Sequence, residues 1–278
     1  MDLTNTDIRL IAFDLDETLL NAEKILTARN RTALERAADK GILIVPTTGR
    51  LLKGIPAEIR DFPFLRYAVT INGAAVFDVT TGENLYSAEI PLDDAIEIMS
   101  YLDQFPIIYD CYQDNTGWMT RTMWEQAEVF APNAYYVRSI RTNRAPVPDL
   151  KEFLKERGNS VQKIQLFALD PVLRTTLLQE IPRRFANLAV SSSVTRNVEI
   201  NHKDANKGAA LLALASHLGL DRSQVMAFGD GLNDVSMIRA AGIGVAMQNA
   251  VAEVKAAADL ITGSCEDSGV AQTIEKIL

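Results

Sequence analysis

The sequence predicts an α/β protein, a parallel sheet flanked by helices, with a second α+β domain inserted into it. Three observations lead there. Short apolar runs rich in β-branched residues alternate with helical segments in the first and last thirds of the 278-residue chain. Four of those runs end at polar, mostly glycine-containing segments: Asp14-Leu15-Asp16, Thr47-Thr48-Gly49-Arg50, Asn72-Gly73 and Gly229-Asp230-Gly231-Leu232-Asn233-Asp234. Between the two thirds the strand–helix rhythm is lost, and both tryptophans and most of the prolines fall there. The expected division is a core from residues 1–86 and 200–278 and an insertion over 87–199.

Ile8 to Phe13 is a short apolar run that reads as a buried strand, and it stops abruptly at Asp14 and Asp16. A continued strand register would point both carboxylates the same way. Thr27 is a helix N-cap, the helix runs from about Ala28 to Lys40, and Gly41 ends it. Ile42 to Pro46 and Tyr67 to Ile71 are the next two buried strands. Strand, helix and strand at this spacing imply right-handed crossovers and a parallel sheet. Ala75 to Asp78 and Asn84 to Glu89 flank a Thr-Thr-Gly turn and form a hairpin.

In the insertion, Pro91 to Phe105 is helical, Ile107 to Tyr112 and Gly117 to Thr122 are strands, and Lys151 to Arg157 is helical. Val161 to Leu169 is a strand, and Val172 to Phe185 is a helix interrupted at Pro182. Leu188 to Ser192 and Arg196 to Asn201 close the region as an antiparallel pair. The alternation then resumes: a helix from Lys207 to Leu218 capped by Asn206, a strand within Ser223 to Phe228, a helix from Val235, a strand at Ile243 to Val245, a helix from Ala250, Leu260-Ile261-Thr262, and a closing helix from Gly269.

Composition narrows the function classes. With 47% hydrophobic and 23% charged residues the chain has material for a full core. A net charge of −8 argues against a general nucleic-acid binder. No apolar run approaches membrane-spanning length, and the N-terminus lacks a signal-peptide pattern. Cys111 and Cys265 are far apart, with no metal-binding spacing, as expected of a reduced cytoplasmic protein. The two histidines, His202 and His217, are too few and too distant to make a site.

In an open parallel sheet the carboxyl ends of the strands share one edge, and ligands bind there. The four polar strand ends would then meet. Several aspartates at one edge require a cation, and hard carboxylate oxygens without a His/Cys cluster suit Mg²⁺ rather than zinc. A carboxylate beside a metal and a phosphate can act as a nucleophile, while a threonine hydroxyl and a lysine ammonium hold the remaining phosphoryl oxygens. Arg50 is equally suited to a substrate anion or to a salt bridge.

These segments, in this order, resemble the four signature motifs of the haloacid dehalogenase superfamily: Asp14-Leu15-Asp16-Glu17-Thr18-Leu19, Thr47-Thr48-Gly49-Arg50, Lys207-Gly208 and Gly229 to Asp234. The insertion between the second and third motifs, together with Ile71-Asn72-Gly73-Ala74, Val198-Glu199-Ile200 and Glu266-Asp267-Ser268-Gly269-Val270-Ala271, is similar to the Cof-type, class IIB branch. The resemblance implies a Rossmann-like core with an inserted cap, and a Mg²⁺-dependent phosphatase acting on small phosphomonoesters such as sugar phosphates. It implies Asp14 as nucleophile and metal ligand, and Asp16 as general acid and base with its main-chain carbonyl on the metal. Asp230 would be the third protein ligand and Asp234 would stand behind the metal. Thr48, Gly49, Lys207 and Asn233 would bind the phosphoryl group. Asp16 would need a raised pKa, from a neighbouring carboxylate and the substrate phosphate, to hold its proton. The expected partner is a small phosphorylated substrate, with no nucleic acid or membrane, on a monomer or small homo-oligomer. A phosphotransferase or phosphomutase, or a non-catalytic regulatory protein, are the alternatives. Glu17, where that branch often has glycine, and His202, Asp204 and Cys265 depart from its pattern.

Overall fold

A computed structural model describes residues 3, 6–192 and 195–278. The chain divides into two compact units, Met1–Ser87 with Asn206–Leu278, and Ala88–Ala205.

The first unit is built on five parallel strands: β1 (Leu10–Phe13), β2 (Leu43–Pro46) and, from the last third of the chain, β12 (Val225–Gly229), β13 (Ile243–Ala246) and β14 (Leu260–Ile261). Their order is β14-β13-β12-β1-β2. β1 is an interior strand, with Phe13 in register with Phe228 on one side and Pro46 on the other. It is buried on both faces, which is why its sequence is apolar throughout rather than alternating. Ile11 and Phe13 pack with Met226, Phe228, Ile243 and Val245 in one core cluster that also takes in residues of the helices Ala28–Asp39 and Gly269–Ile277. Leu10 and Ala12 face a second cluster containing Ala210, Leu211 and Leu214 of the helix Lys207–His217. β3 (Tyr67–Thr70) adjoins β2 through a parallel bridge between Thr47 and Val69, then leads an antiparallel sheet with β4 (Ala75–Asp78) and β5 (Asn84–Ser87). Thr27 and Asn206 cap their helices as expected, accepting the main-chain N–H of Asn30 and Ala209.

The second unit carries a six-stranded sheet, ordered β10-β11-β9-β6-β7-β8. Its strands are β6 (Ile107–Gln113), β7 (Thr116–Thr120), β8 (Arg144–Val147), β9 (Lys163–Ala168), β10 (Leu188–Ser191) and β11 (Asn197–His202). A division at 199/200 would cut β11, which pairs along its length with β9 and β10 inside this sheet. Four features differ from the sequence reading. The strand expected to reach Thr122 stops at Thr120, whose hydroxyl caps a helix starting at Arg121. Helices at Arg121–Glu125, Ala127–Phe130 and Ala134–Asn143, and the strand β8, were not anticipated. The three helices bury at most one residue each, so no run of core positions marks them in the sequence. The helix Pro171–Arg184 runs through Pro182. Pro182 cannot donate to the carbonyl four residues back, but the helix goes on for two residues beyond it and the Phe185 main-chain N–H still reaches the Ile181 carbonyl.

One face of this sheet is apolar: Tyr109, Cys111, Ile164, Leu166, Val198 and Ile200 pack with helices Leu92–Leu102, Leu150–Arg157 and Pro171–Arg184. The alternate positions on β6, β9 and β11 bring up Asp110, Tyr112, Lys163, Gln165, Glu199 and Asn201, all buried. Arg144 reaches across β7 where Gly117 leaves room; a Cβ there would lie 3.1 Å from the Arg144 side chain. Its guanidinium donates to Asp110 (3.1 Å) and to the Tyr112 hydroxyl (2.7 Å), and Lys163 donates to Glu199 (3.0 Å). Burial pushes the Asp110 carboxyl up, against the opposing pull of Arg144 and Lys163. Buried pairs of this kind contribute little net stability while intact, but a broken one leaves an uncompensated charge. Lys163→Met is therefore expected to cost about 3–5 kcal/mol in denaturant unfolding, and Lys163→Met with Glu199→Leu to recover most of it. A single variant within about 1 kcal/mol of wild type would show the pair to be solvated.

Candidate active site

The polar ends of the strands in the first unit are where the sequence reading expected chemistry, and β1 sets the geometry. Asp14 follows Phe13, so alternation turns its side chain to the face on which the helix Lys207–His217 packs. Lys207 is the first residue of that helix and is fully buried. Its ammonium donates to Asp14 Oδ1 (2.7 Å) and to Asp234 Oδ1 (2.6 Å), joining three segments 193 and 27 residues apart in sequence. The helix comes this close because Gly208 has no side chain; a Cβ there would fall 2.3 Å from the Ser236 carbonyl oxygen.

Asp14, Asp230 and Asp234 each offer an oxygen within 4.8 Å of the others. Asp234 is committed on both sides: Oδ1 accepts Lys207, and Oδ2 accepts the main-chain N–H of Asp230 (3.0 Å) and Gly231 (2.9 Å). The oxygens left to face a cation belong to Asp14 and Asp230. Asp230 accepts the Thr18 hydroxyl at 2.6 Å, which fixes its orientation. One ammonium against three carboxylates leaves surplus negative charge. Burial pushes Asp14 upward despite Lys207, with Asp234 and Asp16 adding to the rise. Asp230 is raised to about 6 by burial, with the Thr18 hydrogen bond opposing and Asp234 adding. Lys207 alone thus does not hold Asp14 low. Hard oxygens in a buried, under-compensated cluster fit a divalent cation.

The second strand end supplies neutral polar groups. Thr48 is buried, its hydroxyl accepts the Arg50 main-chain N–H (3.2 Å), and its carbonyl accepts from Asn72 (3.0 Å). Asn72 sits in the left-handed region, at φ 57°, which asparagine tolerates better than most residues. Its side-chain oxygen accepts the Asn233 amide (3.2 Å), and a Cβ on Gly49 would lie 2.7 Å from that oxygen. Thr48, Gly49, Asn72 and Asn233 are thereby gathered from three segments.

Asp16 departs from expectation. β1 ends at Phe13, and the chain then turns, with Glu17 at φ 62°. The Asp16 carboxylate meets Arg50, through Nε (2.9 Å) and Nη2 (2.6 Å), with Lys24 at 3.2 Å. Burial would raise its pKa, but the Arg50 hydrogen bonds and charge, then Lys24, outweigh it and hold the carboxyl below the usual carboxylate range. In the free protein the cations Arg50 and Lys24, left out of the sequence reading, dominate; the upward shift expected from the sequence is one with a substrate phosphate beside Asp16. Of the two roles open to Arg50, the structure gives the salt bridge. Thr18 and Lys24 were missed as well. Thr18 stands two residues beyond the Asp-x-Asp pair, a hydroxyl fixed by the motif, whereas Lys24 carried no sequence signal. His202 is tied up locally, accepting the main-chain N–H of Asp204 (3.3 Å).

A family profile for haloacid dehalogenase-like hydrolases matches residues 11–274. A 5-amino-6-(5-phospho-D-ribitylamino)uracil phosphatase of Bacillus subtilis, YcsE, is 33% identical over 97% of this chain and 96% of its own. The pyridoxal phosphate phosphatase YbhA of Escherichia coli is 28% identical over 96% and 97%. Among solved structures, a haloacid dehalogenase-like hydrolase from Bacteroides thetaiotaomicron superposes with a TM-score of 0.82 at 27% identity, covering 98% of this chain and all of that one.

Glu17 makes the left-handed turn without the glycine that needs no extra strain there, at a cost of about 1 kcal/mol. Glu17→Gly is expected to raise stability by about that amount in urea unfolding, since the Glu17 carbonyl that accepts from Asn249 is retained. An unchanged or lowered midpoint would show that the glutamate side chain offsets the strain.

The matched profile, the relatives covered end to end and the gathering of all four motifs at one end of the sheet agree: this chain belongs to the haloacid dehalogenase-like hydrolases of the Cof type and is a phosphoric monoester hydrolase.

Proposed function

We propose that the protein hydrolyses small phosphomonoesters, sugar phosphates or related metabolites, by way of a phosphoryl group carried on Asp14. The observation that carries this reading is the Lys207 ammonium lodged between Asp14 and Asp234, beside an Asp230 carboxylate that forms no ion pair among the described residues. Lysine holds one Asp14 oxygen, leaving the other to attack phosphorus. Asp16, held low by Arg50 and Lys24 in the free protein, takes up a proton as the substrate phosphate enters beside it, and gives that proton to the leaving oxygen as the P–O bond to the alcohol breaks. Asp16 then takes a proton from the water that attacks the phosphorylated Asp14, and inorganic phosphate leaves. The Thr48 hydroxyl, the Gly49 main chain, Lys207 and Asn233 hold the non-bridging oxygens. Asp14 and Asp230, with the main-chain carbonyl of Asp16, would hold Mg²⁺, which when bound neutralises charge on the phosphoryl oxygens and on the cluster. Thr18 and Asp234 would support that site from behind, by orienting Asp230 and Lys207.

These groups handle only the phosphoryl end of a substrate. Selection among alcohols falls to the inserted unit, which we take as the cap. Relatives named for 5-amino-6-(5-phospho-D-ribitylamino)uracil, HMP-PP and pyridoxal phosphate define a substrate panel to screen.

The test has two parts. Phosphate release from that panel is expected with Mg²⁺ and lost with EDTA, and Asp14→Asn is expected to abolish turnover while the protein still folds. Turnover of that variant within about tenfold of wild type would remove Asp14 from the nucleophile role. Independently of activity, Mg²⁺ should raise the thermal midpoint of the wild type, through about 2.7 kcal/mol of added stability at a hundredfold excess over its Kd, and not that of Asp230→Asn. Equal shifts in both proteins would place the ion elsewhere.

A further inference from the structure

We infer that Arg50 is the positioning residue of Asp16: its guanidinium fork fixes the plane of the carboxylate that passes the proton, and it affects turnover only through that carboxylate. The inference rests on the function proposed above and adds a residue to it.

Geometry supports this. Arg50 closes the Thr47-Thr48-Gly49-Arg50 turn, and its main-chain N–H is bound to the Thr48 hydroxyl at 3.2 Å. The guanidinium is tethered at its far end, Nη1 donating to the Gly54 carbonyl at 3.0 Å. The two donors on the opposite edge, Nε and Nη2, take the two oxygens of Asp16 at 2.9 and 2.6 Å. Held at both ends, the planar group fixes the orientation of the carboxylate as well as its charge. Asp16 needs such a hold. It lies beyond the end of β1, its side chain is 36% exposed, and without the fork its carboxylate would be free to rotate. Lys24, at 3.2 Å, supplies positive charge but only as a point donor, which sets no plane. The Nε and Nη2 donors, which would otherwise suit a substrate anion, are directed at the protein's own carboxylate.

In the reaction the proton moves from Asp16 to the leaving alcohol oxygen as the P–O bond breaks, and Asp16 recovers one from the attacking water. Arg50 gains and loses nothing. Its charge disfavours the protonated acid while its fork keeps one orientation populated, and the second effect outweighs the first, so its removal should lower kcat and leave KM nearly alone.

A double-mutant cycle with an activity-independent readout tests this. Arg50→Ala is expected to lower kcat by about 10- to 100-fold with KM within threefold. In an Asp16→Ala background the same change should have no further effect. Arg50→Lys, which keeps the charge and loses the fork, should recover only part of the loss. Separately, phenylglyoxal labelling of the Mg²⁺-loaded protein, read by peptide mass spectrometry, should modify Arg50 faster in Asp16→Ala than in wild type, with the other arginines unchanged. Any of four results overturns the inference: full activity in Arg50→Lys, a loss confined to KM, equal losses with and without Asp16, or equal labelling of Arg50 in both proteins. A wild type that releases no phosphate overturns the proposed function itself, and this inference with it. That outcome is told apart from failure of the inference alone, which shows as an active enzyme with additive losses.

Discussion

The active-site end of the core depends on one buried ammonium. Lys207 is fully enclosed and divides its hydrogen bonds between Asp14, from the first strand, and Asp234, from the loop after β12. A charge in that position is tolerable only because two carboxylates meet it, and the carboxylates are tolerable only because it is there. The interaction fixes where the helix Lys207–His217 starts, and Gly208 allows that start to lie against Ser236. It also sets the electrostatics: one cation is too few for three carboxylates, so burial drives Asp14 and Asp230 upward. A site with an unmet need for positive charge is prepared for a divalent ion and the phosphate that comes with it.

Around that centre the structure separates two kinds of carboxylate. Asp14, Asp230 and Asp234 share a buried pocket and compete for compensation, whereas Asp16 stands at the half-exposed turn and has two cations of its own. Residues only two apart in sequence therefore have opposite electrostatic environments: burial prevails at Asp14, and the Arg50 and Lys24 charges prevail at Asp16. In the free protein this order is the reverse of what a nucleophile and a proton donor require, so a bound cation would have to bring Asp14 down and a substrate phosphate would have to bring Asp16 up. The difference arises because the strand stops at Phe13 and the chain turns through Glu17.

The second unit manages buried charge differently. Its sheet has one apolar face, packed by three helices, and an opposite face on which Asp110, Arg144, Lys163 and Glu199 meet in pairs. The first and last thirds of the chain show a strict strand–helix rhythm because their sheet is parallel and covered on both sides. The inserted sheet is largely antiparallel, so hairpins replace crossovers and short helices appear between strands without a period to announce them.

By itself the sequence determined the order of strands and helices in the core, the presence of an insertion and the residues that meet at the strand ends. Those properties follow from local physics: a strand buried on both faces must be continuously apolar, and polar groups appear where it emerges. The chain order of Asp14, Thr48, Lys207 and Asp230 carried the family resemblance for the same reason, since each stands at a fixed offset from a strand or helix end. Tertiary structure alone decided how the charges pair. Arg50 binding Asp16, Thr18 binding Asp230 and Arg144 passing over Gly117 to reach Asp110 are contacts between side chains whose meeting depends on turn geometry and strand register. No local pattern encodes such a meeting, because electrostatic compensation is a property of the space around a group rather than of its neighbours in the chain.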